Sequence, residues 1–72
     1  MVKKEYIGFV KWMSKTKGYG FINIENEDRD VFCHCNDCEF NQIYDEGEKL
    51  IFEIAEEEKG KRAINVRRFD NE

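Results

Sequence analysis

Short runs of alternating apolar and polar positions dominate the chain, and no stretch sustains a helical repeat for three turns. Five of these runs are rich in β-branched and aromatic residues, which favours β-strands. The predicted strands are Tyr6–Met13, Tyr19–Ile24, Val31–Cys35, Leu50–Ala55 and Ala63–Phe69. Five short strands predict an all-β fold, and a closed barrel is favoured over a sandwich because two stacked sheets would leave more edges unpaired.

Charged and turn-forming residues separate the predicted strands. Ser14–Gly18 is a lysine-bearing turn, and Glu25–Asp30 is an acidic loop that would let the second and third strands pair as a hairpin. Glu56–Arg62 is a charged turn. The longest connection, Asn36–Gly47, predicts a single helical turn near Asp37–Phe40.

The length of the chain limits its possible activities. Residues 1–72 form one domain at most, and a chain of that size buries only about 60% of its unfolded surface. A pocket enclosing a substrate would consume much of so small a core, so we expect a protein that is not an enzyme and needs no cofactor. No catalytic pair is evident either: His34 has no serine at a suitable spacing, and Glu56–Glu58 is a solvated acidic run.

Composition favours a folded protein of the cytoplasm. Aromatic residues make up 14% of the chain, which is too many for a disordered segment even though 39% of the residues are charged. No apolar run is long enough to span a membrane, and no charged-then-apolar leader opens the sequence. We therefore expect a soluble, unexported protein.

Charge is distributed unevenly along the chain. The formal net charge is −4, but residues 1–22 carry +4, residues 23–58 carry −11 and residues 59–72 carry +3. If the two ends of the chain lie side by side, they form one basic face on an acidic body. Such a face attracts a polyanion because local potential, not net charge, steers association. The alternative is that these lysines are ordinary solubilising residues.

Three cysteines, Cys33, Cys35 and Cys38, fall within six residues. An odd, closely spaced set is not a disulfide framework, which agrees with a reducing compartment. With His34 they offer four donors for zinc, but strand alternation places His34 opposite Cys33 and Cys35. We favour core packing for Cys33 and Cys38 and expect no metal site, with Cys35 near the surface.

The most informative segment is Lys17-Gly18-Tyr19-Gly20-Phe21-Ile22. Alternation along a strand sends Tyr19 and Phe21 to one face and Gly20 and Ile22 to the other. Glycine weakens a strand, so two of them beside a tyrosine need a reason. Either the barrel bends tightly here, or the glycines keep the rings accessible to a flat ligand.

The third predicted strand repeats this arrangement, with Val31 and Cys33 on one face and Phe32 and His34 on the other. Paired strands would combine the outward rings into one exposed surface bordered by lysines. Its expected members are Lys11, Trp12, Lys17, Tyr19, Phe21, Phe32 and His34. Aromatic rings can stack on bases, and neighbouring ammonium groups can pair with phosphates. This combination favours binding of a single-stranded nucleic acid.

These segments resemble the cold-shock domain family. The family's first ribonucleoprotein motif matches Gly8–Met13 with Lys17–Ile22, and its second motif matches Asp30–Cys35. The two motifs have the family's order and separation along the chain. Asp45–Gly47 and the stretch from Gly60 to Val66 match later landmarks, so the resemblance covers residues 8–66.

The resemblance implies a five-stranded antiparallel barrel of the OB type that binds single-stranded RNA or DNA. It implies a monomer that acts as an RNA chaperone or as a regulator of transcription or translation under stress. The family's binding positions carry over onto the seven outward residues given above. Phe40, in the connection after the third strand, resembles a further loop aromatic of the family.

The sequence departs from the family pattern at several positions. Cys35 stands where a phenylalanine is usual, and Met13 replaces another aromatic residue, although a thioether can still pack on a base. Lys61 occupies a frequent proline position. Ile7 and Phe9 replace common polar residues, and they either widen the apolar surface or cover an end of the barrel.

An interaction barrel that uses its apolar strand face to bind a protein is a second possibility. Salt distinguishes the two functions, because phosphate binding weakens steeply with ionic strength whereas an apolar protein interface does not.

Overall fold

Five strands form the body of the protein in a computed structural model, which describes residues 4–69. The strands are β1 (Tyr6–Ser14), β2 (Tyr19–Ile24), β3 (Asp30–His34), β4 (Lys49–Glu57) and β5 (Gly60–Arg68). All five predicted strands are present, with their ends moved by three residues or fewer. Lys3, Asp70 and Glu72, which entered the charge balance, lie outside the described residues.

The connection after β3 contains two 3₁₀ turns, Cys35–Asp37 and Glu39–Asn41. The single turn predicted near Asp37–Phe40 is thus divided in two. Cys38 separates the turns in an extended conformation, and its side chain is buried in the core.

The strands close into a barrel in the order β1-β2-β3-β5-β4. The predicted all-β, five-stranded barrel is confirmed, but its strands are not antiparallel throughout. β1 pairs antiparallel with β2 and β4, whereas β3 and β5 run parallel where Phe32 pairs with Arg62. A closed ring with an odd number of strands cannot alternate direction at every step, so one parallel pair is required.

The core consists of the inward positions of all five strands and two residues of the long connection. Its buried members are Val10, Met13, Ile22, Ile24, Val31, Cys33, Cys38, Tyr44, Leu50, Phe52, Ala63 and Val66. Fully burying an aliphatic or phenyl side chain of this kind contributes about 1.5–3 kcal/mol. The alternation predicted for β2 and β3 is confirmed, because Gly20, Ile22, Val31 and Cys33 are buried while the intervening rings face outward.

A β-bulge in β1 decides which residues face outward. Val10 pairs with Ile22 and Trp12 pairs with Phe21, so Lys11 is an extra residue in β1. Lys11 and Trp12 are both exposed, while Val10 and Met13 on either side are buried. The bulge therefore presents a cation and an indole ring side by side.

Gly20 allows β1 and β2 to approach each other closely at this point. A Cβ atom on Gly20 would lie 2.1 Å from the Trp12 carbonyl oxygen and 2.5 Å from the Met13 Cα. No side chain fits at such a distance. The close approach of the two strands therefore accounts for glycine at position 20.

Within residues 4–69, no helix is long and apolar enough to cross a membrane.

Candidate nucleic-acid interface

Four aromatic side chains contact one another on the outer surface of β1, β2 and β3. We call this set, Trp12, Tyr19, Phe21 and Phe32, the aromatic platform. The Trp12 ring centroid lies 5.9 Å from that of Tyr19 and 6.4 Å from that of Phe21. The Phe32 centroid lies 5.7 Å from that of Tyr19 and 5.9 Å from that of Phe21. These are ordinary distances for packed aromatic pairs.

Strand register accounts for the platform. Trp12 is opposite Phe21 in the β1·β2 pair, and Phe21 is opposite Phe32 in the β2·β3 pair. Cross-strand partners lie close enough for rings to touch. His34 is opposite Tyr19, which brings the imidazole to the same end of the surface.

The platform remains open to solvent. Trp12 is 43% exposed and Phe21 is 38% exposed, while Tyr19, Phe32 and His34 are half-buried. Trp12 with Tyr19 and Phe21 with Phe32 meet edge to face, whereas the Trp12 and Phe21 rings lie within 28° of parallel. Exposed apolar patches often take part in binding, which makes the platform the candidate interface.

Lys11 and Lys17 border the platform in different ways. The Lys11 ammonium donates a 2.7 Å hydrogen bond to Asp30, which raises the pKa of Lys11. Hydrogen bonds from Lys11 and from Asn23 lower the pKa of Asp30. Lys17 is exposed in the β1–β2 turn, where its backbone N–H donates to the Ser14 hydroxyl over 3.1 Å.

His34 is held by the turn that follows it. Its Nδ1 atom accepts a 3.1 Å hydrogen bond from the Asn36 backbone N–H. The ring thereby caps the first 3₁₀ turn and is oriented from one side. This contact ties the end of β3 to the loop and positions the imidazole next to the platform.

The cysteines lie behind this surface or at its end. The Cys33 and Cys38 sulfur atoms are 3.4 Å apart in the core, and their hydrogen bond together with burial raises the pKa of Cys33. Cys35 is half-buried and begins the first 3₁₀ turn, so strand alternation does not decide its direction. Among the residues that the structure describes, no three His, Cys, Asp or Glu side chains are grouped to hold a metal ion.

Neither Phe40 nor Met13 is part of the aromatic platform. Phe40 is 85% exposed in the second 3₁₀ turn, where its φ of 60° is rare for a bulky residue. Met13 is buried, and its sulfur accepts a 3.4 Å hydrogen bond from the Tyr44 backbone N–H. The suggestion that Met13 packs on a base is therefore wrong, because the bulge directs its side chain into the core.

Phe9 and Ile7 lie on the outer face of β1. Phe9 is 37% exposed, and Ile7 is half-buried opposite Ile51 of β4. Of the two roles considered for these residues, a wider apolar surface agrees with the position of Phe9.

Sequence reasoning missed Arg62, which borders the platform from β5. Arg62 is opposite Phe32, and its guanidinium forms ion pairs with Glu57 and, at 3.3 Å, with Asp37. A groove of about 520 Å³ runs from Phe21 and Phe32 to the β4–β5 turn, with Lys59, Lys61 and Arg62 on its far side. The basic residues of the predicted charged turn were the available signal, but only barrel closure brings them beside the rings.

Comparison with known proteins identifies the family. Residues 6–69 match the family model described as the 'Cold-shock' DNA-binding domain. A cold shock-like protein of Aquifex aeolicus is 47% identical over 62 residues, which cover 83% of this chain and 89% of that protein. A major cold shock protein of Streptococcus pyogenes is 39% identical over 61 residues, which cover 82% of this chain and 90% of that protein.

The fold agrees with these sequence matches. A solved structure of Drosophila Unr CSD456 superposes with a TM-score of 0.78 at 17% identity, over 94% of this chain and 28% of that one. The predicted family resemblance is confirmed: the chain belongs to the cold-shock domain family of nucleic-acid-binding proteins.

Proposed function

We propose that the protein binds single-stranded RNA or DNA by stacking successive bases on the aromatic platform. The observation that carries this proposal is the unbroken set of ring contacts from Trp12 across Tyr19 and Phe21 to Phe32. Unpaired bases expose flat π-faces, whereas duplex bases are already stacked on one another. A row of partly exposed rings therefore favours single strands.

Each group of the surface has a separate role in this proposal. Trp12, Tyr19, Phe21, Phe32 and His34 supply ring faces, and Phe40 supplies one more from the loop. Base stacking contributes about 1–3 kcal/mol per base and tolerates any sequence. Lys11 and Lys17 meet phosphates, and their contribution weakens as salt screens it.

The cellular role follows from this mode of binding. A protein that holds bases apart from their partners opposes RNA secondary structure without cutting or joining the strand. We therefore propose a monomeric, single-domain RNA chaperone or regulator of transcription or translation that works in the cytoplasm and is not an enzyme. Its stimulus would be cold or another stress that stabilises RNA structure.

A fluorescence titration tests the proposal. Trp12 is the only tryptophan of the chain, so its emission reports directly on the platform. A single-stranded heptanucleotide should change this emission saturably, with weaker binding at the higher of two salt concentrations. A duplex of the same sequence should bind much more weakly. Equal affinity for duplex and single strand, or no dependence on salt, would contradict the proposal.

A further inference from the structure

A second aromatic cluster lies on the outer face of β1 and β4, outside the aromatic platform. Phe9 of β1 is opposite Lys49 of β4. The Lys49 ammonium lies 4.6 Å from the centroid of the Phe69 ring and 6.0 Å from that of Phe9. We call Phe9, Lys49 and Phe69 the Phe9 patch.

The Phe9 patch continues the aromatic platform across β1. Phe9 is opposite Asn23 on β2, and Phe21 precedes Asn23 by two residues on the same strand. Phe9 and Phe21 are therefore diagonal neighbours on one face of the β1·β2 pair, a relationship that separates side chains by about 7–8 Å. A nucleic-acid strand that leaves the aromatic platform at Phe21 can therefore continue to the Phe9 ring on the same face of the sheet.

The charge of the Phe9 patch suits a nucleotide. Ring faces attract the Lys49 cation but do not neutralise it, so its charge remains available to a phosphate. Glu48, the neighbour of Lys49 in sequence, is paired with Arg68 at 2.7 Å. A partly exposed ring beside a cation offers both contacts that a nucleotide needs.

We infer that the Phe9 patch binds one further nucleotide of the strand held on the platform, with the base on the Phe9 ring and the phosphate at Lys49. This inference rests on the proposed function and extends its site toward β4. A second copy of the chain is a poorer occupant. Two identical patches meeting face to face would bring two Lys49 cations together, and like charges oppose such a contact.

Oligothymidines of increasing length test the inference. For the wild-type protein, affinity should rise with length and then stop rising when every stacking position is filled. Phe9→Ala should reach this plateau one nucleotide earlier and bind long oligonucleotides about fivefold or more weakly, while it binds short oligonucleotides as the wild-type protein does. Ile7→Ala is the matched control, since it removes an outward apolar side chain of the same strand but no ring.

Lys49→Met provides an independent measurement. It should lower the salt dependence of binding for long strands by about one phosphate contact and leave short strands unaffected. The inference is overturned if Phe9→Ala and Ile7→Ala have the same length profile, or if Phe9→Ala weakens short and long strands equally. It is also overturned if sedimentation shows self-association that Phe9→Ala abolishes while oligonucleotide binding is unchanged. The proposed function fails separately, if the wild-type protein binds no single strand of any length.

Discussion

The Lys11 ammonium donates its 2.7 Å hydrogen bond to Asp30, a residue that also lines the groove beside Phe21 and Phe32. Lys11, the neighbour of Trp12 in sequence, is therefore already paired with a carboxylate before any ligand binds. A phosphate must compete with the Asp30 carboxylate for Lys11. The Asp30 carboxylate is ionised at neutral pH, and the hydrogen bonds from Lys11 and Asn23 lower the pKa of Asp30 further.

Replacing Asp30 should consequently tighten binding. We expect Asp30→Asn to raise the affinity for a single-stranded heptanucleotide a few-fold at low salt, and by less at high salt, because exposed charges are screened. Fluorescence titration measures both values. Glu46→Gln makes the same change of charge at an exposed position in the connection between β3 and β4. If it tightens binding as much as Asp30→Asn does, release of Lys11 is not the cause.

Gly20 should be the glycine least tolerant of substitution. A Cβ atom there would overlap the backbone of β1, so Gly20→Ala should lower the free energy of unfolding by about 3 kcal/mol or more. Gly47→Ala serves as the control, because its φ of +89° is strained for alanine but the space around it is open. It should cost only about 1–2 kcal/mol. Equal losses in urea unfolding would contradict the role of close packing at Gly20.

The three cysteines should differ in reactivity. Cys33 and Cys38 are buried, and the pKa of Cys33 is raised, so little of its thiolate is present at pH 8. We expect iodoacetamide to modify Cys35 of the native protein first, and mass spectrometry of the digested protein identifies the site. Modification of Cys33 at the same rate as Cys35 would show that the core opens readily.

Chelation tests the zinc alternative for the same cysteines. Because Cys33 and Cys38 pack in the core, excess chelator should leave the melting temperature unchanged. A structural zinc site would instead lose much of its stability, since metal binding in such sites supplies folding free energy. Metal analysis of the purified protein before and after treatment provides the control.

Local pattern was sufficient to predict which rings face outward. Alternation in β2 and β3 depends only on the pleat of a strand, so Tyr19, Phe21 and Phe32 could be assigned to one face without knowing the barrel. The family resemblance added the OB type of the barrel and the expected role of Phe40.

Features that depend on contacts between distant segments could not be predicted in this way. The bulge at Lys11 interrupts alternation, so the sequence, which placed Lys11 and Trp12 on the outer surface, did not show that Met13 beside them is buried. The pairing of Lys11 with Asp30 joins residues 19 positions apart. Tyr44 enters the core from an irregular connection that has no periodicity to analyse.

Base stacking on the aromatic platform requires its rings, so alanine substitution of Phe21 and of Phe32 is the direct test. Phe21→Ala and Phe32→Ala should each weaken binding of a single-stranded heptanucleotide by about 1–3 kcal/mol, the stacking contribution of one base. Thermal unfolding must show that each variant is folded at the titration temperature. Ile64→Ala is the control, a half-buried apolar residue of β5 that lines a separate groove with Asp37 and Cys38. It should bind as wild type does. Folded Phe21→Ala and Phe32→Ala variants with wild-type affinity would contradict the account.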